Sequence, residues 1–274
     1  MDISRRTKLL LPSLIILVVF FVFPIFLNLV MSLRSTRVND IAGLQAYIKI
    51  FTDPYYLLVI GQTFGLGFVV TGITIILGYP VGYFLARTTS SYKSIFTFVI
   101  ITPLLISIII KCYGWMLILG RQGLINSSLL KIGLIKNPLE LIYNWAGVII
   151  AVVHVLFPFA ILSISSVIEG IDITIEESAR ALGANPFRTF FHVTLPLSIQ
   201  GIATGATLTF LLTIGSFVTV LMLGGKGTMV LPLLIYQQIT VTFNEAFAAA
   251  LGTSLMMIAI VLLMVQFKLL KRWT

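Results

Sequence analysis

EESARALGANPFRTFFHVTLPLS, residues 176–198, is a charged and aromatic run set between long apolar segments. Thr174 and Glu177 stand three apart just at its start, the spacing of a capping box, so a helix is expected to begin there. Gly183 fits the left-handed position that closes such a helix. Asn185 then offers an N-cap and Pro186 a first helical position, and the second helix carries Phe187, Phe190 and Phe191 on one face. Thr194, Leu195 and Pro196 repeat the cap-and-proline pattern where the next apolar run starts. The reading is helix, turn, helix over 174–195, then membrane. Each helix is about two to three turns, too short to persist alone in water, so the pair must dock. The candidate surfaces are the membrane, its own bundle, or the groove of a partner protein.

The surrounding chain explains why such an insert is unusual. Of 274 residues, 58% are hydrophobic and 10% charged, and the mean hydropathy is +1.09, too apolar for a wetted globular surface. A hydrocarbon core about 30 Å thick needs roughly 20 apolar residues per helix. Six runs qualify, at 9–33, 57–86, 95–119, 145–168, 197–223 and 246–267. They are too long for barrel strands, so the expected fold is an all-α integral membrane protein with six transmembrane helices in one domain, 1–274.

Flanking charge gives orientation. Arg5, Arg6 and Lys8 abut the first run, and Lys268, Lys271 and Arg272 follow the last, which puts both termini in the cytoplasm together with the insert. The arginine pair near the start is not an export signal, because the run behind it is too long and lacks a small-residue cleavage site. The net charge of +9 is scattered between apolar runs, which argues against nucleic acid and for lipid-facing anchors. Connections 34–56, 120–144 and 224–245 lie outside; the second has the composition of short interfacial helices.

Several chemistries are excluded by what is missing. No Asp or Glu lies inside an assigned run, whereas ion-coupled carriers place such groups near mid-membrane. His154 reads as a neutral histidine bonded to a neighbouring helix, and Lys111 as a stem snorkelling to the outer interface. The lone Cys112 reads as a small buried hydrophobe. The GGKGT turn at 224–228 lacks the glycine and hydroxyl positions of a phosphate loop. With no metal-ligand spacing and no nucleophilic triad, the chain reads as a non-enzyme without a metal or cofactor of its own. Candidates for a solute pathway are the hydroxyl stripe Thr209, Thr213 and Ser216, and the aromatics Tyr79, Tyr83, Tyr113 and Trp115. For the hydroxyls, bonding back to their own helix carbonyls is an equal alternative.

Glu177, Ser178 and Ala179, then Gly183, Val193, Leu195 and Pro196, follow a long spacing that resembles the EAA loop of permease subunits in binding-protein-dependent ABC importers. Ser178 and Val193 stand where that pattern prefers Ala and Ile. Further runs, including residues 9–34 and 109–130, are similar to the polyamine branch, which commonly has Arg and Thr where this chain has Lys111 and Cys112. The resemblance implies a type I importer permease fold. It also implies a second homologous permease, usually making a heterodimer, two cytoplasmic ATPases that bind ATP and magnesium, and an extracytoplasmic solute-binding protein. Glu176, Glu177, Ser178, Ala179, Arg180, Gly183, Phe187, Phe190, Phe191, Leu195 and Pro196 would then couple to the ATPases, with the phenylalanines as buried anchors and Glu177 and Arg180 giving polar registry. Spermidine or putrescine is the implied cargo; related permeases carry iron(III), opines or phosphonates. An ATP-independent carrier or channel is the competing class.

Overall fold

The computed structural model describes residues 11–34 and 43–270, and every regular element among them is helical. The helices are α1 (Leu11–Leu33), α2 (Leu44–Thr52), α3 (Pro54–Arg87), α4 (Lys93–Leu105), α5 (Ile108–Leu119), α6 (Leu124–Lys131), α7 (Trp145–Glu169), α8 (Ile173–Ala181), α9 (Pro186–Leu197), α10 (Ile199–Ile214), α11 (Val218–Leu223), α12 (Leu231–Thr240) and α13 (Glu245–Leu270). Among the described residues five stretches are long and apolar enough to cross a membrane, or six when the bent pair α9 and α10 counts as one. The charged flanks Arg5, Arg6, Lys8, Lys271 and Arg272 lie outside the described residues.

Two compact units divide the chain, the first from Met1–Leu58 with Leu234–Val261, the second from Val59–Leu233 with Leu262–Thr274. In the first, Asn28 on α1 donates to Thr253 Oγ1 at 3.0 Å and to the Ala249 carbonyl at 3.4 Å, an interhelical amide contact of the kind that joins helices in lipid. Ser32 and Tyr47 share a 2.6 Å hydroxyl contact, and Tyr56 meets Phe247 edge-on. The apolar side chains of α1 are otherwise largely exposed, as a lipid-facing surface requires.

The second unit is built on α7. Val148, Ala151, Val152, Ala160, Ile161, Ile164 and Ile168 are buried along its whole length. Two glycine pairs let neighbouring backbones close on it. A Cβ at Gly201 of α10 would stand 3.0 Å from the Ser163 carbonyl and 3.0 Å from Val167 Cβ, and one at Gly205 3.2 Å from Ala160 Cα. From α3, a Cβ at Gly78 would meet Ala160 Cβ at 3.3 Å, and one at Gly82 the Ile161 carbonyl at 3.1 Å. Small residues four apart permit this approach where lipid offers no hydrophobic drive.

Two expected spans are broken. The run 95–119 divides into α4 and α5, because Ile106 and Ser107, three and four residues beyond Pro103, take extended backbone angles. The Pro103 carbonyl, deprived of its helical partner, accepts from Ile106 N–H at 3.4 Å and from the Lys111 ammonium at 3.0 Å. Lys111 is therefore tied to the break instead of reaching for the interface, since a bare carbonyl is costly where water is absent. The run 197–223 is α10, a break at 215–217, and α11. The 224–245 connection contains α12. Its GGKGT turn is closed by Thr228 Oγ1, which accepts from Gly225 N–H at 2.7 Å, and is held by Gln62 donating to the Gly227 carbonyl. Gly225 is pressed so tightly on Tyr143 that a Cβ there would lie 2.0 Å from its carbonyl oxygen. Cys112 is buried, as expected, beside Thr219.

Candidate functional site

The insert forms α8 and α9, joined at Gly183. Its first helix starts two residues earlier than the capping-box reading: Asp172 is the N-cap and accepts from Thr174 N–H at 3.0 Å. An aspartate two residues upstream takes the orphan donor first, so Thr174 is a donor instead of the cap. That backbone hydrogen bond holds the Asp172 carboxyl below its usual range, because it favours the ionised acceptor. Gly183 has φ +90°, the left-handed geometry expected of it, and Asn185 caps α9 by accepting from Arg188 N–H at 2.8 Å with Pro186 at the first position.

Thr194, Leu195 and Pro196 do not open a new helix. α9 runs through them by way of a π turn at Phe190–Thr194, and the chain breaks instead at Ser198, where α9 and α10 meet at a 62° bend. The Ser198 hydroxyl shares a 2.7 Å contact with Tyr79 OH of α3.

The electrostatic centre is Glu176, which is 2% exposed. Arg87, in the last turn of α3, donates to its Oε1 through Nη2 at 2.8 Å and Nε at 3.3 Å. Tyr83 OH donates to Oε2 at 3.3 Å, and Arg180 stands 3.8 Å from the same oxygen. Arg87 Nη1 also donates to the Ile171 carbonyl at 3.0 Å, fixing the entry to α8. A cation at a helix C-terminus facing an anion in the first turn of the next suits both helix dipoles. Removing one partner from such a buried pair costs about 3–5 kcal/mol, since the other is left charged and unpaired.

The phenylalanines separate. Phe190 packs edge-on against Tyr79 and Tyr83, with centroids 5.5 and 6.1 Å away. Phe187 and Phe191, one turn apart, stack on each other and are 76% and 53% exposed. Leu182, beside Gly183, is 90% exposed. Glu177, Ser178, Gly183 and Pro196 are exposed too, while Ala179 and Leu195 are half-buried. The inward side of the insert is thus Glu176 and Phe190, and its outward side carries an apolar tip beside Glu177.

Away from the insert, Thr209 and Thr213 are buried and bond back to the Gly205 and Thr209 carbonyls at 2.8 and 2.6 Å. Ser216 lies half-buried in the break after α10. Because Gly201 and Gly205 face α7, the polar groups left exposed on α10 are Gln200 and Thr204. They edge a cavity of about 420 Å³ shared with Ala203, Thr207, Leu208, Ile199 and Phe267. Tyr113 is 60% exposed on α5, and Trp115 Nε1 donates to His154 Nδ1 at 3.3 Å, the neighbouring-helix bond expected of that histidine. Among the described residues no group of three or more His, Cys, Asp or Glu could hold a metal ion.

Arg87, Ser198, Gln200 and Thr204 were not distinguishable from the sequence as members of these contacts. The available signal for Arg87 was a cation closing a long apolar helix, and it is equally the signal of an interfacial anchor.

Residues 75–274 match the family described as the binding-protein-dependent transport system inner membrane component. A spermidine/putrescine transport system permease protein, PotB of Haemophilus influenzae, is 29% identical over 255 residues, covering 92% of this chain and 89% of that protein. A bacterial ABC transporter involved in the import of the acidic polysaccharide alginate contains a chain of the same fold, with a TM-score of 0.78, 21% identity, and coverage of 98% and 96%. The alginate transporter in complex with its pentasaccharide-bound periplasmic protein aligns with a TM-score of 0.75 and 19% identity over 96% of this chain and 92% of that one.

Proposed function

Because the chain belongs to the family of binding-protein-dependent transport system inner membrane components, multi-pass proteins of the prokaryotic plasma membrane, we propose that it is a permease subunit of an ATP-driven importer whose cargo is a polyamine. The carrying observation is the α8–α9 insert: anchored inward by Glu176 and Phe190, it turns the apolar tip Leu182, Phe187 and Phe191 outward. An exposed apolar tip at the end of the spans fits the groove of a partner protein.

In this reading the insert and both termini are cytoplasmic, and two ATPase subunits, which bind ATP and magnesium, receive Leu182, Phe187, Phe191, Glu177 and Ser178. A second, homologous permease completes the pathway as a heterodimer, and an extracytoplasmic solute-binding protein delivers the cargo. Support for the last partner comes from the alginate transporter, which was captured with its periplasmic protein.

Polyamine cargo is supported by the relative that spans 92% of the chain. No acid lies in the interior of the spans to bind a polycation, so the binding protein performs recognition and the pathway lets the cation pass. Tyr113 and Trp115 can assist by cation–π contact, and Ser216 offers a half-buried hydroxyl. Thr209, Thr213, Tyr79 and Tyr83 have hydroxyls engaged in internal bonds, so any part they play in the pathway passes through packing.

The test is uptake of labelled spermidine by membrane vesicles carrying this chain with its transport partners. Uptake is expected only with ATP and with the binding protein, and should be competed by putrescine. Uptake without ATP would make it a carrier; ATP-dependent uptake of a different solute class would overturn the cargo alone.

A further inference from the structure

We infer that Arg87 and Glu176 form the joint through which movement of α8–α9 enters the membrane bundle, so that α3 is driven together with, or ahead of, the covalently connected α10. The inference rests on the importer reading and names positioning residues within it.

Chain connectivity points to α10 as the natural recipient, since it follows α9 directly. Yet the connection is interrupted: regular α9 ends at Leu197, Ser198 leaves the helical pattern, and the axis turns by 62° before α10 begins. A push along α9 is redirected by 62° before it can travel along α10, although backbone hydrogen bonds from Ser198 N–H to Thr194 and from Ile202 N–H to Ser198 bridge the bend. The contact with α3 is of a different kind. Tyr79, Tyr83 and Arg87 recur at every fourth position, hence on one face of α3, and together they grip the insert at successive points. Tyr79 takes Ser198 at the bend, Tyr79 and Tyr83 hold Phe190, and Tyr83 with Arg87 hold Glu176. Arg87 also holds the Ile171 carbonyl ahead of α8, so both ends of that polar segment are fixed to one helix face.

What α3 receives it can pass on. Gly78 and Gly82, on neighbouring turns, seat the α3 backbone directly on Ala160, Ile161 and Ile164 of α7. Close-packed interfaces shift as units instead of deforming smoothly. A push on the insert therefore displaces α3 and α7 as a block, and the ion pair is its stiffest link because Glu176 is buried and Arg87, largely shielded, holds it through two donors.

The test uses the transporter purified whole through this chain and reconstituted in liposomes, with solute uptake and ATP hydrolysis measured on one preparation. The pair Arg87→Met with Glu176→Leu removes both charges at similar volume, a change that buried ion pairs commonly tolerate in stability. The expected result is complex captured in normal amount but uptake per ATP hydrolysed lower by about tenfold or more, within the range of coupling effects. Arg87→Lys keeps the charge but cannot hold Glu176 and the Ile171 carbonyl together as the guanidinium fork does, so its uptake per ATP should fall between the double variant and wild type. Wild-type uptake per ATP in the double variant would overturn the inference, as would uptake and hydrolysis falling together in proportion to the complex recovered. Should the double variant not assemble, Glu176→Gln, which keeps an acceptor for Arg87 and Tyr83, is judged by the same ratio. A wild-type preparation without any ATPase would overturn the importer reading itself, and the inference with it.

Discussion

Gly183 carries the sharpest conformational demand in the insert. Its φ of +90° lies where side-chain-bearing residues are strained, yet a Cβ built there meets nothing within 4 Å. Strain and clash are thereby separated. Left-handed backbone costs an L-residue roughly 1–2 kcal/mol, worth about 5–30-fold in a local equilibrium. Gly183→Asn is expected to transport near normally, and Gly183→Val to lose about tenfold of uptake while remaining in the membrane. Equal uptake by the two variants, normalised to membrane protein, would remove the glycine requirement. The glycine was legible because few residue types fit that geometry. Glu176 was not: it and Glu177 are adjacent carboxylates in the same sequence context, and only the approach of Arg87 from α3 makes one buried and leaves the other in solvent.

Helix by helix, packing on α7 depends on glycines that no hydropathy scan weighs. Gly201→Ala opposes two terms, a gain of about 1 kcal/mol in helix propensity and a loss of about 1–3 kcal/mol from overpacking against Ser163 and Val167. The prediction is a small net loss for Ala and a failure to fold for Gly201→Leu, read as the fraction of chain that stays monodisperse in mild detergent on heating. If Leu were accommodated, the α7–α10 approach would be looser than its geometry indicates. The GxxxG spacing at Gly201 and Gly205 could be seen in the sequence, whereas which helix it would meet could not. The broken spans were hidden for a related reason: Pro103 and Gly215 are tolerated inside many membrane helices, and only the extended angles at Ile106 and Ser107, with Lys111 answering the freed carbonyl, decide that this one stops. α12 was missed because an amphipathic ten-residue helix is too short to read as a span.

For the molecule as a transport component, the inward and outward sides of the insert should fail in different ways. Phe187→Asp places a charge on an exposed tip, so the chain should fold normally but, on the proposed importer reading, capture an ATPase subunit poorly, by about 2 kcal/mol or roughly thirtyfold. Phe190→Asp puts an unpaired charge between Tyr79 and Tyr83, so folded chain itself should be lost. Co-purification normalised to permease distinguishes the two, and identical behaviour would cancel the division into faces. The sequence by itself determined that the chain is a helical membrane protein and that two short helices turn at Gly183, the second capped by Asn185, because hydropathy length and local turn and cap chemistry act between neighbours along the chain; the cap of the first helix, Asp172 in place of Thr174, was set by the structure. Only the tertiary structure decided which carboxylate is buried, which phenylalanine points inward, and that α3 grips the insert beside the Ser198 bend. Those outcomes depend on side chains far apart in sequence meeting across helices, and the energy of a buried charge or ring is set by what it meets.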